Sequence, residues 1–95
     1  MRWFVSRHPG AKQWAEEQLI KFDRFVSHLE IDQVQSGDSV IGNLPIHVAE
    51  QVCRRGARYF HLSLNLPPEL RGQELSANLM HQLEAEVAEY TVHRV

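Results

Sequence analysis

Apolar residues along the chain fall into short β-rich runs alternating with stretches of helical spacing. Arg2 to Ser6 is a β-rich run and predicts a first strand. Pro9-Gly10 punctuates the chain. Ala11, Trp14, Ala15, Leu19 and Phe22 then recur on one helical face, predicting a helix from about Ala11 to Phe22. Arg24 to His28 reads as a second short strand, the polar segment Glu30 to Asp38 as a loop, and Ser39-Val40-Ile41 as a third strand ending at Gly42-Asn43. Pro45 suits the first turn of a second helix. Its buried stripe is Ile46, Ala49, Val52 and Cys53, and Gly56 is its natural stop. Arg58 to Leu64 is the longest strand candidate, ended by Pro67-Pro68, and Glu69 to Leu75 reads as irregular. Ser76 is a plausible N-cap for a last helix whose face is Leu79, Met80, Leu83, Val87 and Tyr90, and the tail from Thr91 to Val95 has room for one more short strand.

The order β-α-β-β-α-β-α predicts an α/β fold with a mainly parallel sheet flanked by helices. A length of 95 residues supports one domain, residues 1–95, and a 43% hydrophobic content suffices for a real core. The single cysteine, Cys53, excludes an internal disulfide framework and a Cys-based zinc site, and a lone thiol fits a reducing cytoplasm. No apolar run approaches the ~20 residues that span a bilayer, and Ser6-Arg7 interrupts the first apolar run too soon for a signal peptide. The expectation is a cytoplasmic protein with no membrane partner. A net charge of -2 argues against binding duplex nucleic acid through bulk charge. It leaves room for a small polyanion held by a few placed cations.

The polar residues that end these elements are the candidates for function. Ser6-Arg7-His8 follows the first strand, Ser27-His28 the second, Gly42-Asn43 the third, and Ser63 and Asn65 the fourth. In a parallel sheet all four clusters share the carboxyl edge, where open α/β sheets bind ligands. Two of them adjoin helix N-termini, whose free N–H groups and partial positive charge favour phosphate. Arg7 adds a guanidinium suited to bidentate phosphate contacts, and Gly10 and Gly42 allow close backbone approach. His47 lies off the apolar stripe of its helix and can face the same edge.

Each of these residues also has a purely structural reading. Ser6, Ser27 and Ser63 suit turns and caps. Arg7 can pair with a surface carboxylate, His8 can cap a helix, and Gly42 can serve a tight turn. Trp14, Tyr59 and Phe60 read as core, His61 as a satisfied core histidine, His81 and His93 as surface, and Glu84, Glu86 and Glu89 as a solvated face. The histidines show no zinc-type spacing, so neither a metal nor a cofactor is expected.

The chain has no Gly-x-Ser-x-Gly elbow, Walker loop or Gly-x-Gly-x-x-Gly. Cys53 sits on the apolar face of its helix, a poor place for a nucleophile. Asp38 precedes the third strand, at the end opposite the candidate edge. Ser6-Arg7-His8-Pro9-Gly10 is superficially similar to the Arg-His-Gly signature of histidine phosphatases, but Pro9 intervenes and those folds are about twice this length. What remains is phosphate chemistry without a metal; for an RNA-like substrate the residues permit, without singling it out, attack by a substrate 2′-hydroxyl on the neighbouring phosphorus. Arg7 would stabilise charge, and His8 or His47 would move protons.

Larger motifs add a resemblance. Phe4-Val5-Ser6-Arg7-His8-Pro9-Gly10-Ala11, Val26-Ser27-His28-Leu29, Gly37-Asp38-x-Val40-Ile41-Gly42-x-Leu44-Pro45-x-His47 and Gly56-Ala57-Arg58-Tyr59-Phe60-His61-Leu62-Ser63-Leu64 together resemble a small CRISPR-associated family of type III systems. The resemblance runs from residue 4 to about residue 76. It implies a ring nuclease, which cleaves the cyclic oligoadenylate messenger of those systems and so switches off the effectors that the messenger activates. It also implies a Rossmann-like (CARF-like) fold, a homodimer with the ring across its interface, and cleavage without metal. On these motifs Ser6, Arg7 and His8 form the expected catalytic set. Gly10, Ser27, His28, Gly42, Asn43, His47, Ser63 and Asn65 would line the pocket. Two other readings stay open: a module that binds the messenger without cutting it, and an interaction protein with no nucleotide ligand.

Overall fold

The computed structural model describes residues 1–95 and contains five strands and three α-helices. They are β1 (Arg2–Val5), α1 (Pro9–Glu17), β2 (Arg24–Val26), β3 (Ser39–Gly42), α2 (Ile46–Arg54), β4 (Arg58–Ser63), α3 (Ala77–Gln82) and β5 (Glu86–Tyr90). The sheet order is β2-β1-β3-β4-β5. The first four strands are mutually parallel and β5 runs antiparallel to β4. The register places Arg2, Ser39 and Arg58 at one edge and Val5, Gly42 and His61 toward the other. This is the Rossmann-like α/β arrangement, closed on one side by an antiparallel strand.

Alternation along the strands divides the core in two. Trp3, Val5, Val40 and Tyr59 pack with Ala49 and Val52 of α2. Phe4, Ile41 and Leu62 face the other way and pack with Ala11, Trp14 and Ala15 of α1 and with Ala77 and Met80 of α3. Both layers are closed: Phe4, Val40 and Val52 have no exposed surface, and Trp14 is a core residue as expected. At the amino edge Asp38 is buried and ties three groups together. It accepts hydrogen bonds from the Met1 amine (2.9 Å), Trp3 Nε1 (3.2 Å) and Gln35 N (3.0 Å). The Gln35 amide and the amine hold its carboxyl below the usual range, against the opposing effect of burial.

Two helix boundaries depart from expectation, and for one reason. All three helices end with the same pair of backbone bonds. Leu19 N donates to Glu16 O and Ile20 N to Ala15 O; Gly56 N to Cys53 O and Ala57 N to Val52 O; Glu84 N to His81 O and Ala85 N to Met80 O. This pattern needs a left-handed residue, found at Leu19 (φ 60), Gly56 (φ 82) and Glu84 (φ 58). Only Gly56 announces it in the sequence. Helix α1 therefore stops at Glu17 rather than Phe22, and Leu19 is exposed rather than on the apolar face. Helix α3 stops at Gln82, and Val87 and Tyr90, expected on its face, belong to β5. Glu86 and Glu89 are strand residues, and Glu89 forms a two-point ion pair with Arg58 (2.7 and 2.8 Å). The final strand thus comes from residues read as helix, and the tail after Thr91 adds none. Ser76 caps α3 as expected, its Oγ accepting from Leu79 N at 3.1 Å. Ile46 is exposed at the start of α2, off the stripe it was expected to join.

Candidate functional site

Because β1 to β4 are parallel, the segments that leave them meet at the carboxyl edge, as the polar clusters predict. A cavity of about 610 Å³ opens there. Its polar lining is Ser6, Arg7 and His8 from the β1–α1 turn, Ser27 and His28 from the end of β2, and Asn43 from the β3–α2 turn. The rest of its lining is apolar and includes Leu62, Leu64, Leu66, Leu75 and Met80. Six of the eleven expected site residues are therefore brought together.

The β1–α1 turn is held from within. Ser6 Oγ accepts from His8 N at 3.1 Å, so the serine has the turn role that its structural reading allowed, while still lining the cavity. Pro9 occupies the first position of α1, where its missing N–H costs nothing. His8 is half-buried, and its Nδ1 accepts a hydrogen bond from Leu75 N at 3.3 Å. A neutral ring accepting there carries its proton on Nε2. Arg7 is exposed and forms no ion pair with the protein, so its donors are free for a ligand. His28 Nε2 lies 3.9 Å from Glu30 Oε1, both side chains well exposed.

The β3–α2 turn is held by β4. Asn43 Nδ2 donates to Leu62 O at 3.1 Å. The buried Tyr59 hydroxyl accepts from Leu44 N (3.0 Å), donates to Gly42 O (3.1 Å) and lies 2.6 Å from His61 Nδ1. Burial pushes the Tyr59 phenol up from its usual value, more than the Leu44 amide bond lowers it. His61 is thus a satisfied histidine, half-buried, with Tyr90 edge-on to its ring at 5.8 Å.

Five expected residues lie outside the cavity. Gly10 is a packing residue: a Cβ on it would fall 2.3 Å from Leu75 O. Gly42 is buried against β1, where a Cβ would meet Val5 O at 2.8 Å. His47 is exposed on α2 and does not line the cavity. Ser63 and Asn65 yield to their neighbours Leu62 and Leu64, because alternate residues of an extended chain point to opposite faces. Leu62 and Leu64 carry no site signal in the sequence, where they read as strand filling within Arg58–Leu64. A second cavity of about 620 Å³ lies at the amino edge, lined by Arg2, Lys21, Arg58 and Phe60 among others, and contains none of the expected site residues. No three His, Cys, Asp or Glu side chains come together as a metal site. No helix is long and apolar enough to cross a membrane.

The fold defines a compact α/β protein with a cavity at the carboxyl edge of its sheet. Residues 3–93 match the model of the family described as "Putative CRISPR-associated protein (Cas_VVA1548)". The chain belongs to that CRISPR-associated family. No curated protein and no solved structure matches it.

Proposed function

We propose that the protein is a ring nuclease that opens cyclic oligoadenylate, cyclic tetra-adenylate first among the candidates. The observation that carries this reading is the mixed lining of the cavity, where an unpaired arginine and a tautomer-fixed histidine share one space with several leucines and a methionine. An apolar surface suits a purine base, and Arg7 beside the α1 N-terminus suits its phosphate. Membership of a CRISPR-associated family supports the reading.

The substrate carries its own nucleophile. Its 2′-hydroxyl oxygen bonds to the adjacent phosphorus, the P–O5′ bond breaks, and the ring opens to a linear chain with a 2′,3′-cyclic phosphate and a 5′-hydroxyl. No water is consumed: one proton leaves the 2′-hydroxyl and one reaches O5′. The protein holds the attack in line and stabilises the phosphorane, which is the role of Arg7. Water takes the 2′-hydroxyl proton and returns one to O5′, while the Nε2–H of neutral His8 donates a hydrogen bond to the charge developing on the phosphorane. The position of His47 outside the cavity favours His8 for this role. A two-fold dimer would set a second Arg7 and His8 against the ring and reconcile a net charge of -2 with a polyanionic ligand.

The test is incubation with cyclic tetra-adenylate, with and without EDTA, followed by chromatography and mass spectrometry. Linear products ending in 2′,3′-cyclic phosphate, formed equally in EDTA, are expected. A ring left intact, at this and other ring sizes, would overturn the activity. If that intact ring still raised the melting temperature, the protein would be a binding module instead.

A further inference from the structure

We infer that Tyr59, a core residue by sequence pattern, is the positioning residue of the cavity. The inference rests on the ring-nuclease reading for its kinetic consequence, but its geometry stands apart from it. The Tyr59 hydroxyl bonds the backbone on both sides of Asn43, donating to Gly42 O (3.1 Å) and accepting from Leu44 N (3.0 Å). Asn43 is thereby clipped at both flanks while its side chain is tethered to Leu62 O. A hydroxyl has one proton and two lone pairs. With the proton given to Gly42 O and one lone pair taken by Leu44 N, the remaining lone pair faces His61 Nδ1 at 2.6 Å. All partners are satisfied when Nδ1 carries a proton, so His61 fixes the direction of the hydroxyl.

The bond has little to do with joining the sheet, since β3 and β4 already pair through their backbones from Ser39–Arg58 to Gly42–His61. What it adds is the shape of the turn beyond the strand. Asn43 and Leu44 both line the cavity, so the shape of this turn is part of the shape of the site. A small misplacement there costs rate more than binding.

The test compares wild type, Tyr59→Phe, and Val34→Ala, a core truncation at a buried residue that does not line the cavity. Two readouts are taken: kcat and KM for cyclic tetra-adenylate cleavage, and amide hydrogen exchange by NMR. In Tyr59→Phe, kcat is expected to fall about tenfold with KM held within about threefold. Leu44 N–H is expected to exchange at least about tenfold faster than in wild type, beyond any change in the α2 core amides. Val34→Ala should lose stability and keep its kcat. Equal kcat losses in Tyr59→Phe and Val34→Ala would overturn the positioning role. So would unchanged Leu44 exchange in Tyr59→Phe. If wild type leaves the ring intact, the functional reading fails, and the exchange result alone decides whether Tyr59 holds the turn.

Discussion

Replacing Gly10 by alanine separates two meanings of one glycine. Read as a ligand-facing residue, Gly10 keeps the backbone bare for a phosphate. In the structure it keeps the backbone bare for the protein itself. The Cβ of an alanine would fall 2.3 Å from Leu75 O, 2.5 Å from Ser76 C and 2.6 Å from Ala77 N. Non-bonded carbon and oxygen sit at about 3.3 Å or more, so the two segments must part by about 1 Å. All three obstacles are backbone, and no rotamer change relieves them. Neighbouring Ala11 and Ala77 are also buried, so the start of α1 and the start of α3 are packed without slack. Overpacking of this kind costs about 1–3 kcal/mol, and the rigid obstacles place Gly10→Ala near about 3 kcal/mol. For a domain of this size that is a fall in Tm of about 15 °C. The same separation would stretch the 3.3 Å bond from Leu75 N to His8 Nδ1 beyond hydrogen-bond range, so cleavage should fall as well. Thermal and urea unfolding followed by circular dichroism measure the first effect. A Tm within about 3 °C of wild type, accompanied by weaker binding of cyclic tetra-adenylate, would refute the packing argument and restore the ligand-facing one.

Arg7→Ala is expected to slow ring cleavage by about 10²-fold or more and leave Tm unchanged, because Arg7 is exposed and unpaired; parallel cleavage assays and melts check both halves. Asp38→Ala strands the buried Trp3 indole N–H and the Gln35 amide, and should cost about 2 kcal/mol, or about 10 °C in a melting experiment. The Asp38 carboxyl is held low when folded, so its stabilisation is complete above the ordinary carboxylate value and is lost as pH falls through the lower folded value. Tm of wild type should therefore drop more steeply below about pH 4 than Tm of Asp38→Asn. Leu19→Gly relieves a left-handed residue with an exposed side chain, and is expected to stabilise by about 1 kcal/mol, read as a Tm rise of about 5 °C.

The helix ends show where sequence reading succeeds and where it stops. The residue Gly56 marks the end of α2 because glycine is the side chain that enters the left-handed region freely. Leu19 and Glu84 make the same turn with no such mark, and each misleads through its apolar or acidic neighbours. Leu19 and Phe22 lie at helical spacing from Trp14 and Ala15, and Phe22 is indeed packed against Phe4 and Phe25. It reaches them from the loop after α1. Val87 and Tyr90 likewise satisfy a helical spacing that the chain uses as a strand. Spacing alone reports that residues can share a face. It does not report which backbone carries them there, and a short run of apolar residues is compatible with both.

The site was legible to the extent that it follows from chain direction, and illegible where it depends on side-chain parity. Four parallel strands place every strand-to-helix turn at one edge, so Ser6, Arg7, His8, Ser27, His28 and Asn43 meet without any need to know a single dihedral angle. Within β4 the choice between Ser63 and Leu62, or Asn65 and Leu64, turns on a one-residue register that polarity argued the wrong way. Polarity along the chain points to phosphate, yet an adenylate also carries a base. On the proposed reading the leucines would supply the surface that a base requires, while Ser63 falls on the face opposite Leu62. Tyr59 itself was hidden for a related reason: nothing in a strand of apolar and aromatic residues says which hydroxyl reaches past the end of the next strand. That reach is set by the pairing of Gly42 with His61, two residues beyond Tyr59, and it turns a core tyrosine into the clip on the turn that the chemistry would use.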